Sequence, residues 1–299
     1  MKVAAVLATL VALGVFSACG LAESALSATG GSPSGPARSP SGGSPSGPAR
    51  SPSGGPSGRA TVRYRPVGCV ASGPLAARTN GPRRREVALT FDDGPSPYTR
   101  SFVQMLRANG AVATFFMIGR QLGGYSGTLR EELRDGDALG DHTWSHPDLV
   151  SSGGVEGQLA STKKAIAAMS GYTSCVFRPP YGSYDTSVMR TARSLGLATI
   201  TWDVDPSDYA LPGVGAIEQR VLAQVQPGSI ILSHDGGGPR AQTLAAYPQI
   251  IAALRARGYR FVTVPQLLGM RTIYERCRRD CGEAEIEGRP PSGSIIRSG

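Results

Sequence analysis

Histidine and paired cysteine are scarce in this chain, with three histidines and five cysteines in 299 residues. No Cys-x-x-Cys pair occurs and no histidine lies near the cysteines, which argues against a structural zinc knuckle. Long apolar runs are lacking too. The most apolar stretch, from Val3 to Phe16, falls short of the ~20 residues that a membrane-spanning helix needs. Most of the chain also lacks a basic surplus. Residues 1–85 hold ten Lys and Arg against one acid, residues 86–270 hold fifteen against sixteen, and residues 271–299 hold six against five. The net +9 therefore belongs to the leader, and a nucleic-acid-binding face, which needs a basic folded surface, is not expected. Attraction of that leader to an anionic membrane or wall polymer is the better reading.

The start has a different texture. Lys2, the apolar run and the small residues Ser17 and Ala18 have the form of a secretory signal. Cys19 follows Phe16-Ser17-Ala18, which resembles the lipobox of bacterial lipoproteins, so residues 1–19 read as a signal peptide ending either in a lipidated Cys19 or in ordinary cleavage nearby. The expected location is extracytoplasmic, secreted or membrane-anchored and facing the cell wall. In an exported protein Cys69, Cys175, Cys277 and Cys281 are expected to form disulfides, and four cysteines leave three connectivities open. Cys277 could close a short loop to Cys281 or tie the tail to Cys69.

Residues 30–41 recur unchanged as 42–53, a Gly/Ser/Pro/Arg repeat with no large apolar residue. Such a repeat buries no core. Residues 20–85 read as a disordered leader, a repeat linker passing into a transition, with a reach of a few tens of ångströms from roughly 5–6 Å times the square root of its length. From Glu86 apolar strands alternate with helical patterns: Val87–Phe91, Ala113–Ile118, Ala138–Asp141, Cys175–Phe177, Ala198–Trp202, Ser229–Leu232 and Arg260–Val262 are the strand candidates. Glycines at 110, 136, 171, 196 and 258 stand where helices should stop. The fold class is α/β, about seven parallel strands in an open sheet or a barrel over residues 86–270, with a tail at 271–299.

Polar residues gather where these strands end, the place where such barrels carry chemistry. Asp92 and Asp93 leave the first strand, His142 the third, Arg178 the fourth, Asp203 the fifth and His234 the sixth. His142 and His146, four apart, meet on one metal if their loop makes a helical turn. With one carboxylate they supply three positions of a tetrahedral catalytic site, the fourth being left for water.

Five segments in order resemble the polysaccharide deacetylase family: Thr90-Phe91-Asp92-Asp93-Gly94-Pro95, His142-Thr143-Trp144-Ser145-His146, Arg178-Pro179-Pro180-Tyr181-Gly182, Asp205-Pro206-Ser207-Asp208-Tyr209 and Leu232-Ser233-His234. The resemblance implies a distorted (β/α) barrel and metal-dependent removal of acetyl groups from sugars. It implies Asp93, His142 and His146 as metal ligands, with zinc expected and cobalt or another divalent ion as alternatives. Asp92 would be the general base, Arg178 its partner, His234 the general acid, Asp208 the group that orients and charges His234, and the Tyr181 backbone N–H an oxyanion donor with its phenol incidental. Tyr209 stands where the family commonly has Trp. The expected partner is an N-acetylated polysaccharide, peptidoglycan first, with chitin oligomers and acetylated xylan as alternatives. A carbohydrate-binding protein of the same fold without turnover, or a surface protein whose repeat is the working part, are the readings outside catalysis. A monomer is expected, with no nucleic acid partner and with Cys19 as a membrane anchor.

Overall fold

The computed structural model describes residues 63–277, 286–287, 290 and 293–297, all within one unit, Gly58–Gly299. The expected signal peptide, Cys19, the repeat and Cys281 lie outside the described residues. After β1 (Arg63–Val70) the chain runs β2 (Glu86–Gly94), α1 (Thr99–Ala108), β3 (Ala113–Met117), α2 (Ser126–Asp135), β4 (Ala138–Asp141), α3 (Leu149–Ser152), α4 (Val155–Ser170) and β5 (Val176–Phe177). It continues through α5 (Thr186–Ser194), β6 (Ala198–Thr199), α6 (Val214–Gln224), β7 (Ile230–Ile231), α7 (Ala241–Ala256), β8 (Arg260–Phe261) and α8 (Val264–Leu267). Three further strands follow, β9 (Arg271–Arg276), β10 (Ile286–Glu287) and β11 (Ile295–Arg297).

Seven strands form one parallel sheet, ordered β6-β5-β4-β3-β2-β7 with β8 also against β2. Beyond β6 the chain returns to the far edge, where Val204 bridges Ile231 in parallel, so the sheet curls into a distorted barrel. All seven expected strands are present. Their continuous apolar runs suit a parallel sheet covered on both faces. Phe91 of β2 packs at 4.8–5.3 Å between ring centres with Phe102, Phe115 and Tyr247, which ties the sheet to α1 and α7. Two of the expected stops are left-handed C-caps, Gly136 after α2 and Gly171 after α4.

A second sheet, β10-β1-β9-β11, was not expected. β1 falls in the stretch read as transition, and β9 in the stretch read as tail. They pair antiparallel from Tyr64↔Arg276 to Val70↔Arg271. Their sequences, RYRPVGCV and RTIYER, carry too many charges to look like strands. Cys69 joins the buried core of the barrel, and the ion pair of Arg65 with Glu275 at 2.8 Å crosses the ladder. Cys69 is bonded to Cys175, with 5.3 Å between Cα atoms, which fixes β1 to the approach to β5 and rules out a bond from Cys277 to Cys69. Closing a loop this long removes unfolded-state entropy worth roughly 4–5 kcal/mol. Cys277 is disulfide-bonded as well. Among the described residues no helix is long and apolar enough to cross a membrane.

Candidate active site

β2 delivers two carboxylates in succession, and a regular strand would turn them to opposite faces. Asp93 instead takes a left-handed backbone, φ 70°, and the β2–β3 register slips between Asp92 and Gly94. Both carboxylates therefore line one cleft of about 490 Å³. The loop after β7 makes room for this turn by having no side chains there: a Cβ on Gly236 would overlap the Asp93 carbonyl, and one on Gly237 its carboxylate.

The two histidines reach Asp93 from the exit of β4, though not by a helical turn. Thr143 and His146 are both left-handed, with φ of 69° and 64°, and the loop is held by Thr143 N–H donating to Asp141 Oδ1 at 2.8 Å and His146 N–H to Thr143 Oγ1 at 2.9 Å. His142 Nδ1 lies 2.7 Å from the carbonyl of Arg178. A carbonyl only accepts, so Nδ1 carries the hydrogen and the Nε2 lone pair faces the cleft. His142 Nε2 and His146 Nε2 stand 3.5 and 3.2 Å from Asp93 Oδ1, and the three ligand atoms all lie within 4.8 Å of one another. Asp93 Oδ1 is buried with no hydrogen-bond partner. A buried, unsatisfied carboxylate oxygen facing two imidazole nitrogens fits a divalent cation. Burial acts to raise Asp93, but His142, with His234 and His146 behind it, holds the carboxyl well below its usual range. Burial and the charge of His142 lower His146 against the pull of Asp93 and Asp92, favouring the neutral ring that a ligand must be.

Asp92 and His234 are placed by strand register. β2 pairs with β7 as Ala88↔Ile230 and Leu89↔Ile231, and the same offset continues to the bridge Asp92↔His234. Neighbouring residues of parallel strands share a face. Arg178, fully buried, donates to Asp92 Oδ1 at 2.8 Å, to Thr90 Oγ1 at 2.6 Å and to the Thr201 carbonyl at 3.0 Å, with its guanidinium 4.3 Å from the Phe116 ring centre. That leaves Asp92 Oδ2 on the histidine side, 3.8 Å from His142 Nε2. His234 Nδ1 pairs with Asp208 Oδ1 at 2.7 Å, and Asp208 Oδ2 accepts from His234 N–H and from Thr243 Oγ1. Burial disfavours the charged imidazole of His234, but the hydrogen bond and charge of Asp208, with Asp92 and Asp93 adding to it, raise its pKa overall. The structure thus brings together every residue that the family resemblance singled out.

Several residues with a part in the site gave no signal in the sequence. The Tyr181 phenol, expected to be incidental, lies 3.2 Å from His146 Nδ1, and Tyr181 itself is left-handed and 71% exposed. Asp235 is wholly buried behind the site, takes a hydrogen bond from Thr99 Oγ1, and has its carboxyl pushed up by burial and by Asp93 and Asp92 to about 7. Arg240 lines the cleft. Asp203, at the fifth strand's exit, instead accepts from Ser229 and Ile230 and belongs to the barrel wall. Tyr209 packs edge-on to His234 at 5.8 Å between ring centres, so it keeps an aromatic wall where the family commonly has Trp.

Residues 79–200 match the family described as Polysaccharide deacetylase. A chitooligosaccharide deacetylase of Azorhizobium caulinodans is 38% identical over 194 residues, 60% of this chain and 92% of that protein. A peptidoglycan-N-acetylglucosamine deacetylase of Bacillus cereus is 39% identical over 187 residues, 61% of this chain and 87% of that protein. Among solved structures, a peptidoglycan N-acetylglucosamine deacetylase in complex with 4-naphthalen-1-yl-N-oxidanyl-benzamide superposes with a TM-score of 0.63 at 32% identity, covering 65% of this chain and 93% of that one.

Proposed function

The chain belongs to the polysaccharide deacetylase family, and from that premise we propose that it is a metal-dependent hydrolase that removes acetyl groups from an N-acetylglucosamine polymer, cell-wall peptidoglycan first. One observation carries the reading: the buried, unsatisfied Asp93 Oδ1 faces two histidine nitrogens beside a separate carboxylate–arginine pair and a separate histidine–carboxylate pair. Asp93, His142 and His146 would hold the cation, and this donor set suits zinc, with cobalt and other divalent ions as alternatives. When bound, such a cation lowers the pKa of water toward about 7 and polarises the acetyl carbonyl.

The protein's own groups divide the proton work. Asp92, held through Oδ1 by Arg178, keeps Oδ2 for the proton of the attacking water. His234, whose Nδ1 is engaged by Asp208, presents Nε2 to the departing sugar amine and donates the proton that lets the C–N bond break. Tyr181, through its backbone N–H, serves the oxyanion, and its left-handed φ of 58° is the kind of outlier that functional loops hold.

The choice of peptidoglycan draws on the Bacillus cereus relative and on the secretory form of residues 1–19, which would carry the enzyme out of the cytoplasm and, through Cys19, anchor it beside the wall. Acetate release from peptidoglycan, chitin oligomers and acetylxylan tests the reaction and the substrate together. Release from the N-acetylated polymers that stops on metal stripping and returns with zinc is expected. No release from any of the three, or release indifferent to stripping, would overturn the proposal. Fractionating cells that express Cys19→Ser tests the anchor: the protein should leave the membrane fraction for the medium, and an unchanged distribution would remove the anchor from the reading.

A further inference from the structure

The ionised groups assigned to the reaction each have a matching partner. Asp92 pairs with Arg178, Asp208 with His234, and Asp93 faces the two histidines. Arg240 does not. It is 4% exposed, it lines the same cleft, and no carboxylate among the described residues forms an ion pair with it. Its Nε donates to the Gly236 carbonyl at 2.5 Å and its Nη1 reaches the Pro239 carbonyl at 3.5 Å, while Nη2 has no acceptor among the described residues. The other nearby carboxylate, Asp205, accepts from Ser207 N–H instead.

A buried guanidinium without a counter-charge is costly, and its cost falls when a ligand supplies the missing anion. A second feature acts in the same direction. Arg240 is the N-cap of α7, a helix of sixteen residues, and offers no side-chain cap; the first turn of α7 has no acidic residue. The one carboxylate that this turn reaches, Asp208 through Thr243, is already paired with His234, and helix N-termini favour anions. The bond from Nε to Gly236 ties Arg240, at the cleft wall, to the loop that packs on Asp93.

We propose that Arg240 and the N-terminal turn of α7 form an anion subsite that takes a carboxylate carried by the glycan chain alongside the acetamido group under attack. This rests on the proposed deacetylase reading and narrows it. Among acetylated polymers, the enzyme selects one whose sugars bear carboxylates, as the lactyl ethers of peptidoglycan do, over neutral chitin of the same length. A planar, fixed guanidinium suits a carboxylate better than a flexible ammonium would.

The test compares acetate release from three oligomers of equal length: a carboxylate-bearing peptidoglycan glycan, the same glycan with its carboxyls methyl-esterified, and a neutral chitin oligomer. The intact enzyme should turn over the free acid with kcat/KM about tenfold or more above the ester, mostly through KM, as befits a hydrogen-bonded charge pair. Arg240→Gln should collapse the acid-to-ester ratio toward one, and Arg240→Lys should bring it part-way down. The acid-to-ester comparison on the unaltered enzyme stands even if the glutamine variant does not fold. Equal rates on acid and ester would overturn the subsite. So would an acid preference that survives in the two variants, or a loss equal on all substrates, which would make Arg240 only a clasp for the Gly236 loop. Acetate from none of the oligomers would overturn the deacetylase reading instead.

Discussion

From Glu86 to Asp92 the β2 backbone is regular, and Phe91 is buried among three aromatic rings; one residue later Asp93 turns left-handed and leaves an oxygen unsatisfied. The same contrast holds around the barrel. All six non-glycine residues of positive φ among the described residues, Asp93, Thr143, His146, Tyr181, Ser207 and Leu211, lie at or beyond the exits of β2, β4, β5 and β6. Each such residue costs on the order of 1–3 kcal/mol and persists only where its surroundings dictate it. The barrel interior supplies stability, and the rim consumes part of it to aim side chains. The two regions should therefore respond differently to substitution: rim variants should lose function and keep the fold, and core variants the reverse.

The largest effect is expected at the rim. Asp93→Asn removes a charged ligand and should cut acetate release by about 10³-fold or more, since the cation contributes several kcal/mol of transition-state stabilisation. Zinc content by atomic absorption should fall with it, while the metal-free protein stays folded with a modestly lower thermal midpoint, because the attraction to the histidines that holds Asp93 ionised is lost. A collapse of the metal-free fold would break the contrast. On the core side, Phe91→Ala should cost about 3–5 kcal/mol of unfolding free energy in denaturant titration. Its effect on metal affinity at a temperature where it stays folded should be small. A large loss of affinity would mean that the interior and the rim are coupled more tightly than the geometry suggests.

Legibility follows the same divide. The seven barrel strands could be read because a parallel sheet buried on both faces writes continuous apolar runs, as in Val87–Phe91 and Ala113–Met117. The second sheet could not, because β1 and β9 are half-exposed, rich in arginine, and pair across about two hundred residues. At the site, Asp92, Asp93, His142, His146, Arg178 and His234 were legible from their types and strand-end positions, and Asp208 only through the family resemblance. The path of the His142–His146 loop was not, since left-handed threonine and histidine leave no pattern in sequence. Arg240 and Asp235 sit in a glycine-rich turn that reads only as a turn. Their parts depend on what packs against them.

The acid side of the reaction tests whether the rim works by charge. His234 is raised by Asp208, so it holds its proton above the ordinary imidazole range and gives it up as pH rises through the raised value. Activity that needs the proton should fall on that basic limb. Asp208→Asn removes the charge and should move the limb to lower pH, with about 10²-fold lower kcat at neutral pH. Stability shifts with the same sign. A raised histidine contributes stability that is fully present below its unfolded value near 6.5 and is lost as pH climbs through the folded value. The variant should therefore show a flatter stability profile across that window, and an unmoved basic limb in the rate profile would remove Asp208 from this role.

The smallest effect is also the one that refines where the rim ends. Tyr181 is 71% exposed, which by burial alone would class its ring as surface, yet its phenol oxygen is 3.2 Å from His146 Nδ1 and the rings meet edge-on at 4.7 Å. If His146 gives Nε2 to the cation, Nδ1 carries the hydrogen and donates it to that oxygen, as the outer partners of metal-bound histidines usually accept. Tyr181→Phe keeps the ring and deletes the acceptor, so metal affinity measured by chelator competition should weaken about tenfold. Tyr184→Phe, a half-exposed tyrosine on the same loop without a bond to a histidine, should stay within about twofold. Equal affinities for the two variants would return the phenol to the surface and leave Tyr181 with its backbone alone.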